Sequence, residues 1–99
     1  MLIAHVTIQT ATNGVDDALD VLLSAAPKVR AMQGCRTYQA FLNPQTDGQI
    51  MLVQEWETTE SFQQYLASDS FKASGAKLAP LMTAPPVSRR FRADPIADE

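Results

Sequence analysis

His5 is the only histidine in the chain, and its side chain is the one whose ordinary pKa lies near neutrality, where a general base works best. Further along, Phe62, Tyr65 and Leu66 fall at the spacing of one helix face. Trp56, the only tryptophan, closes the apolar run just before them. A proton acceptor, a phenol and an aromatic wall together could line one pocket. His5 and Tyr65 are therefore the candidate catalytic residues. Thr7, which shares the strand face of His5, and the aromatics Trp56, Phe62 and Phe71 are candidates to bind substrate. Arg36 is a candidate to hold an anionic group. Each has a plainer reading: a solvated histidine, a core tyrosine with its hydroxyl at the edge, an arginine in an ordinary surface ion pair. Cys35 reads as a small core residue.

Other chemistries lack their residues. There is no cluster with metal-ligand spacing, no phosphate-cradling glycine loop and no Ser-His-Asp arrangement, so neither a metal nor a cofactor is expected. The net charge of -3 speaks against a nucleic-acid partner, and the one basic cluster, Arg89-Arg90-Phe91-Arg92, is followed closely by Asp94, Asp98 and Glu99. A single cysteine excludes an intrachain disulfide and fits a reducing compartment. No basic signal-peptide start and no apolar run of bilayer length is present, so no membrane association is expected and the cytoplasm is the expected location. The composition, 45% apolar and 19% charged, is that of one ordinary globular domain.

The elements that must position these residues follow from periodicity. Leu2 to Thr10 alternates, with Leu2, Ala4, Val6 and Ile8 on a dry side and Ile3, His5, Thr7 and Gln9 on a polar one. If the polar side meets the helices, His5 and Thr7 enter the pocket. Val15 to about Ala31 carries a helical apolar stripe, with Pro27 predicting a kink or a tightened last turn and Gly34 placed to close the helix in a left-handed conformation. Cys35 to Leu42 and Ile50 to Trp56 read as an antiparallel hairpin, the second strand central because Ile50-Met51-Leu52-Val53 is apolar on both faces. Thr58 or Thr59 caps the next helix. Ser68-Asp69-Ser70 breaks it and restarts a helix at Ser70 or Phe71, with Phe71, Ser74, Gly75, Leu78, Leu81 and Met82 on its inner face. Val87 to Arg92 is a last short strand.

The order is β-α-β-β-α-β with a broken second helix, an α+β ferredoxin-like fold with a four-stranded antiparallel sheet. The domain spans residues 1–92, and 93–99 form an acidic tail expected to be flexible. Helices cover one face only. The other face carries large apolar residues, so a homodimer packed sheet to sheet is expected.

Gly34-Cys35, Glu55-Trp56-Glu57, the helix Ser61-Phe62-Gln63-Gln64-Tyr65-Leu66 and Ser68-Asp69-Ser70-Phe71-Lys72 together resemble the antibiotic biosynthesis monooxygenase (ABM) superfamily of dimeric α+β barrels. The resemblance runs from Leu2 to about Arg92 and is nearest to the small quinol-oxidising bacterial members. It implies a cofactor-independent monooxygenase acting on a small phenolic, quinol or enolisable substrate. The alternative is a non-enzymatic module that holds a small hydrophobic or aromatic molecule. Haem-degrading members ligate iron through a histidine where this chain has Gly75, which disfavours that activity and makes Gly75 a candidate to leave room for a ligand. Members that oxidise aromatic polyketides keep the tryptophan at Trp56, but their other catalytic positions fall on Leu52, Phe62 and Ala76. The quinol-oxidising members often place a histidine where Tyr65 stands, and a tyrosine there is the poorer base.

Overall fold

Two-residue alternation decides which way the sheet faces. The computed structural model describes residues 1–97, and in it the four strands are β1 (Leu2–Gln9), β2 (Cys35–Leu42), β3 (Gln49–Trp56) and β4 (Val87–Arg92). They form one antiparallel sheet in the order β2-β3-β1-β4, the ferredoxin-like arrangement, with β3 central as its doubly apolar run predicts. Leu2, Ala4 and Ile8 of β1 and Ile50, Leu52 and Trp56 of β3 point to one side, where they are buried. Against them lie α1 (Val15–Arg30), α2 (Thr59–Leu66) and α3 (Asp69–Leu78). From α1 come Ala18, Leu22, Ala26 and Val29, all buried. Burying each large side chain is worth about 1.5–3 kcal/mol, so the drier stripe of β1 takes the helix side. The polar stripe therefore lies on the opposite, outer face.

The second helix breaks as expected. The Thr58 hydroxyl accepts from the Ser61 amide at 3.0 Å and caps α2. The Ser68 hydroxyl accepts from the Phe71 amide at 3.2 Å and starts α3 at Asp69, one residue ahead of the expected restart. After α3 the chain tightens into a 3-10 turn, Ala79–Leu81, which contains Pro80. α1 runs through Pro27 to Arg30. Its last turn is tied to the sheet: the Arg30 guanidinium donates two hydrogen bonds, at 3.0 and 2.8 Å, to the Tyr38 carbonyl.

Gly34 does not close α1. The helix ends at Ala31, and Gly34 (φ +84°) turns the chain into β2 instead. Its carbonyl accepts from the Glu57 amide at 2.8 Å, and a Cβ there would collide with the Ser61 side chain, so the close approach of α2 adds to the positive φ in requiring glycine. Gly48 is a stricter case. Its φ is +73°, and a Cβ would run into the backbone carbonyl of Thr10, which cannot move aside as a side chain can.

The outer face exposes Phe41, Val87 and Phe91, with Ile3, Met51 and Val53 half-buried between them. Beyond β4, residues 93–97 carry no regular element, although the Ala93 amide donates to the Met1 carbonyl at 2.9 Å. Asp98 and Glu99, the end of the expected acidic tail, lie outside the described residues.

Two glycine variants should separate backbone need from mere smallness. Gly48→Ala is expected to cost about 2 kcal/mol or more, from positive φ and the carbonyl clash. Gly75→Ala meets no atom within 4 Å and should gain about 0.5–1 kcal/mol from helix propensity. Urea denaturation of both variants checks this, and equal midpoints would contradict it.

Candidate functional site

Between the helix-facing side of the sheet and α3 lies a cavity of about 120 Å³. Val6, Ile8 and Leu52 form its floor, Leu22 of α1 one wall, and Phe71, Gly75 and Leu78 of α3 the other. Met82 and Pro86, from the connection into β4, stand at its edge. The break between α2 and α3 makes this shape. By restarting at Asp69, α3 brings Phe71 edge-on to Tyr65, with ring centroids 5.2 Å apart, while its glycine leaves space beside the opening.

Against this apolar lining stand three buried polar side chains, Tyr38 of β2, Gln54 of β3 and Tyr65 of α2. The Trp56 indole N–H donates to the Gln54 amide oxygen at 2.9 Å. Trp56 stacks on Tyr65 at 5.1 Å between centroids, and Tyr65 meets Tyr38 edge-on at 6.3 Å. All three polar side chains line the same cavity. Burial pushes the Tyr38 phenol above its usual value, partly opposed by the Tyr65 hydroxyl. Burial, reinforced by the neighbouring Tyr38, pushes Tyr65 far higher, with Gln54 opposing. Losing water disfavours a phenolate, so both residues are hydrogen-bond donors and neither is a base. No charged side chain lines the cavity among the described residues.

The sequence-predicted residues divide between two sides of the sheet. Tyr65, Phe71 and Gly75 line the cavity. Trp56 and Phe62 are buried behind Tyr65 and support it without reaching the cavity. His5 and Thr7 are on the outer face, because β1 turns its dry stripe to the helices. There the His5 ring lies edge-on to Phe91 at 6.0 Å, and the Thr7 hydroxyl donates to the Met51 sulfur at 3.4 Å. His5 and Tyr65 thus do not share a space. Arg36 sits in the bulge where β2 slips against β3, half exposed and 3.7 Å from Glu57, so it too is outside the cavity. Burial raises the thiol pKa of Cys35, which packs against the core.

Tyr38 and Gln54 are the residues that sequence reasoning missed. Gln54 had a signal: it stands in the stripe Ile50, Leu52, Gln54, Trp56, a lone amide among apolar residues on a buried face. Tyr38 had none beyond alternation, since its partner comes from α2. No group of three metal-ligating side chains occurs among the described residues, and none of their helices is long and apolar enough to cross a membrane.

Comparison with known proteins agrees with this architecture. The family model described as antibiotic biosynthesis monooxygenase matches residues 1–77. A candidate antibiotic biosynthesis monooxygenase from Caulobacter crescentus is similar in structure, with a TM-score of 0.90, 23% identity, and coverage of 95% of this chain and 90% of that one. One from Deinococcus radiodurans has a TM-score of 0.91 at 17% identity, covering 100% of this chain and 98% of that one. A protein from Mycobacterium tuberculosis has a TM-score of 0.88 at 15% identity, covering 98% of both chains. At these identities the three show the fold alone. None of the curated proteins compared with the chain matches it. The family-model match over most of the sheet and all three helices carries the assignment: the chain belongs to the antibiotic biosynthesis monooxygenase family.

Proposed function

We propose that the cavity takes a single-ring phenol, quinol or related enolisable molecule and that the protein oxygenates it without a metal or organic cofactor. The observation that carries this reading is an apolar cavity with two phenol hydroxyls and an amide gathered on one wall, in a chain of the monooxygenase family. Its volume of about 120 Å³ is close to that of an engineered cavity of roughly 150 Å³ that holds benzene. The substrate, once ionised, gives electrons to dioxygen; one oxygen atom enters the ring, and the other leaves as water with two substrate hydrogens. Tyr65, Tyr38 and Gln54 supply donors to the substrate oxygen as its negative charge develops. The proton departs to water at the opening beside Gly75, since neither phenol accepts it.

A second reading is a module that binds such a molecule without changing it. The uncharged lining favours it, because nothing there ionises near neutral pH. Mass spectrometry of molecules carried through purification separates the two readings, an unaltered tightly held ring compound supporting the binding module.

The outer face supports a homodimer in either case. Its apolar centre of Met51 and Val53, rimmed by Phe41 and Phe91, suits a second copy of the same sheet.

Oxygen uptake by the metal-free protein on a panel of single-ring quinols should be saturable. Tyr65→Phe should lower kcat/KM about a hundredfold, the usual cost of one anion-stabilising donor. His5→Ala should leave it within about twofold, since His5 is on the other face; equal losses in both variants would refute the assigned roles. Val53→Lys should convert a dimer to a monomer in sedimentation equilibrium, and a wild-type monomer would refute the dimer. The chain's only two tyrosines both stay protonated when folded above the usual range. Stability from them is fully present below pH about 10 and is lost as pH rises beyond it, because the unfolded chain ionises first. An ultraviolet titration should therefore show tyrosinate only as the fold melts, and a tyrosinate signal from intact protein near pH 10 would contradict this.

A further inference from the structure

The cavity has its mouth where its lining reaches solvent. Phe71 and Gly75 of α3 and Pro86, just ahead of β4, are exposed lining residues, whereas Tyr38, Gln54 and Tyr65 are buried. The mouth therefore lies between α3 and β4. Side chains along a strand alternate between faces, and cross-strand partners share one. Ser88 pairs with Val6 of the cavity floor, and Arg90 pairs with the buried Ala4. Ser88 and Arg90 thus stand on the cavity side of β4 and extend the rim that Pro86 begins. Arg89 pairs with His5 and faces the other way. The Arg90 side chain is held in place, although it is exposed. Its Nε–H donates to the Ser88 hydroxyl at 3.3 Å, and its guanidinium lies over the Phe62 ring, 4.9 Å from the centroid. Phe62 in turn packs against Tyr65, whose ring is 6.2 Å away and lines the cavity. A guanidinium on an aromatic face keeps its full charge there. Among the described residues the one ion pair joins Arg36 to Glu57, so none of their carboxylates neutralises Arg90. With Nε–H engaged by Ser88, the two terminal amino groups are left, an edge that can grip a carboxylate through two parallel bonds.

We infer that Arg90 is a specificity-determining residue at the mouth and that the ligand is a single ring bearing a carboxylate, with the ring inside and the carboxylate at the rim against the guanidinium. The volume of about 120 Å³ supports this division. It takes a bare ring and leaves a charged substituent outside, where water still reaches it. No charged side chain lines the cavity among the described residues, so an anionic group finds no partner within and is met at the rim by Arg90. The inference rests on the reading of the cavity as a ligand site.

Calorimetric titration of the full chain under argon, at neutral pH and low salt, tests it with two probes: hydroquinone, and 2,5-dihydroxybenzoate, which is the same ring with a carboxylate added. The carboxylate should tighten binding about fivefold, the upper range for a bidentate pair open to water. Sodium chloride at about 0.5 M should remove most of that gain. Arg90→Met keeps a side chain over Phe62 and removes the charge; it should bring the two probes within about twofold of each other, with hydroquinone binding as before. Arg89→Met, on the outer face, should keep the gain. Hydroquinone binding with no gain from the carboxylate would leave the cavity a ligand site and overturn the role of Arg90. A gain that ignores salt, survives Arg90→Met or falls equally in Arg89→Met would overturn it as well. Binding of neither probe would remove the cavity reading, and this inference with it.

Discussion

The bond from the Trp56 indole to the Gln54 amide is the contact on which the site depends. Both groups are shut away from water, and each would cost about 1–3 kcal/mol if left without a partner. Trp56 ends β3, pairs across the sheet with Leu2 on one side and Cys35 on the other, and stacks beneath Tyr65. One residue thus sets the strand register, the seat of α2 and the orientation of the amide. A polar side chain is tolerated in the dry face of the sheet because its neighbour two residues on satisfies it.

Around that bond the sheet separates two tasks. The helix-facing side is packed from Leu2 to Ile8 and from Ile50 to Trp56, and its cavity is bordered by Gly75, where α3 carries no side chain. The outer side holds His5, Thr7 and Arg89 among exposed aromatics, with the Arg89 guanidinium 5.3 Å from the centre of the Phe91 ring. The cavity is left without an ionisable base, and its chemistry is that of donors in a low-dielectric space. Such donors are worth more there than in water.

Much of the fold was legible in the sequence because it rests on local rules. Alternation marked β1 and β2, the doubly apolar run marked β3 as central, and Thr58-Thr59 and Ser68-Asp69-Ser70 announced the cap and the break of the second helix, while the structure decided that Thr58 and Ser68 are the capping residues. The candidate site was legible only in part. Phe71, Tyr65 and Gly75 lie on faces that helical spacing already groups, and the cavity uses those faces. Gly34 was read as a helix stop because positive φ was foreseen there, but its neighbour Ser61 is distant in sequence, and that contact shows what the glycine is for.

What the sequence by itself determined is the element order, the central strand and the aromatic face of α2, since each follows from spacing within a few residues. Only the tertiary structure decided which face of β1 meets the helices, and that choice placed His5 and Thr7 away from Tyr65. A period of two defines two faces but does not say which one is covered; the comparison of buried area against the whole helical layer does. Tyr38 and Gln54 entered the site for the same reason. Tyr38 meets Tyr65 of α2, and Gln54 lines the cavity that the helices close, arrangements that exist only after the layers have packed.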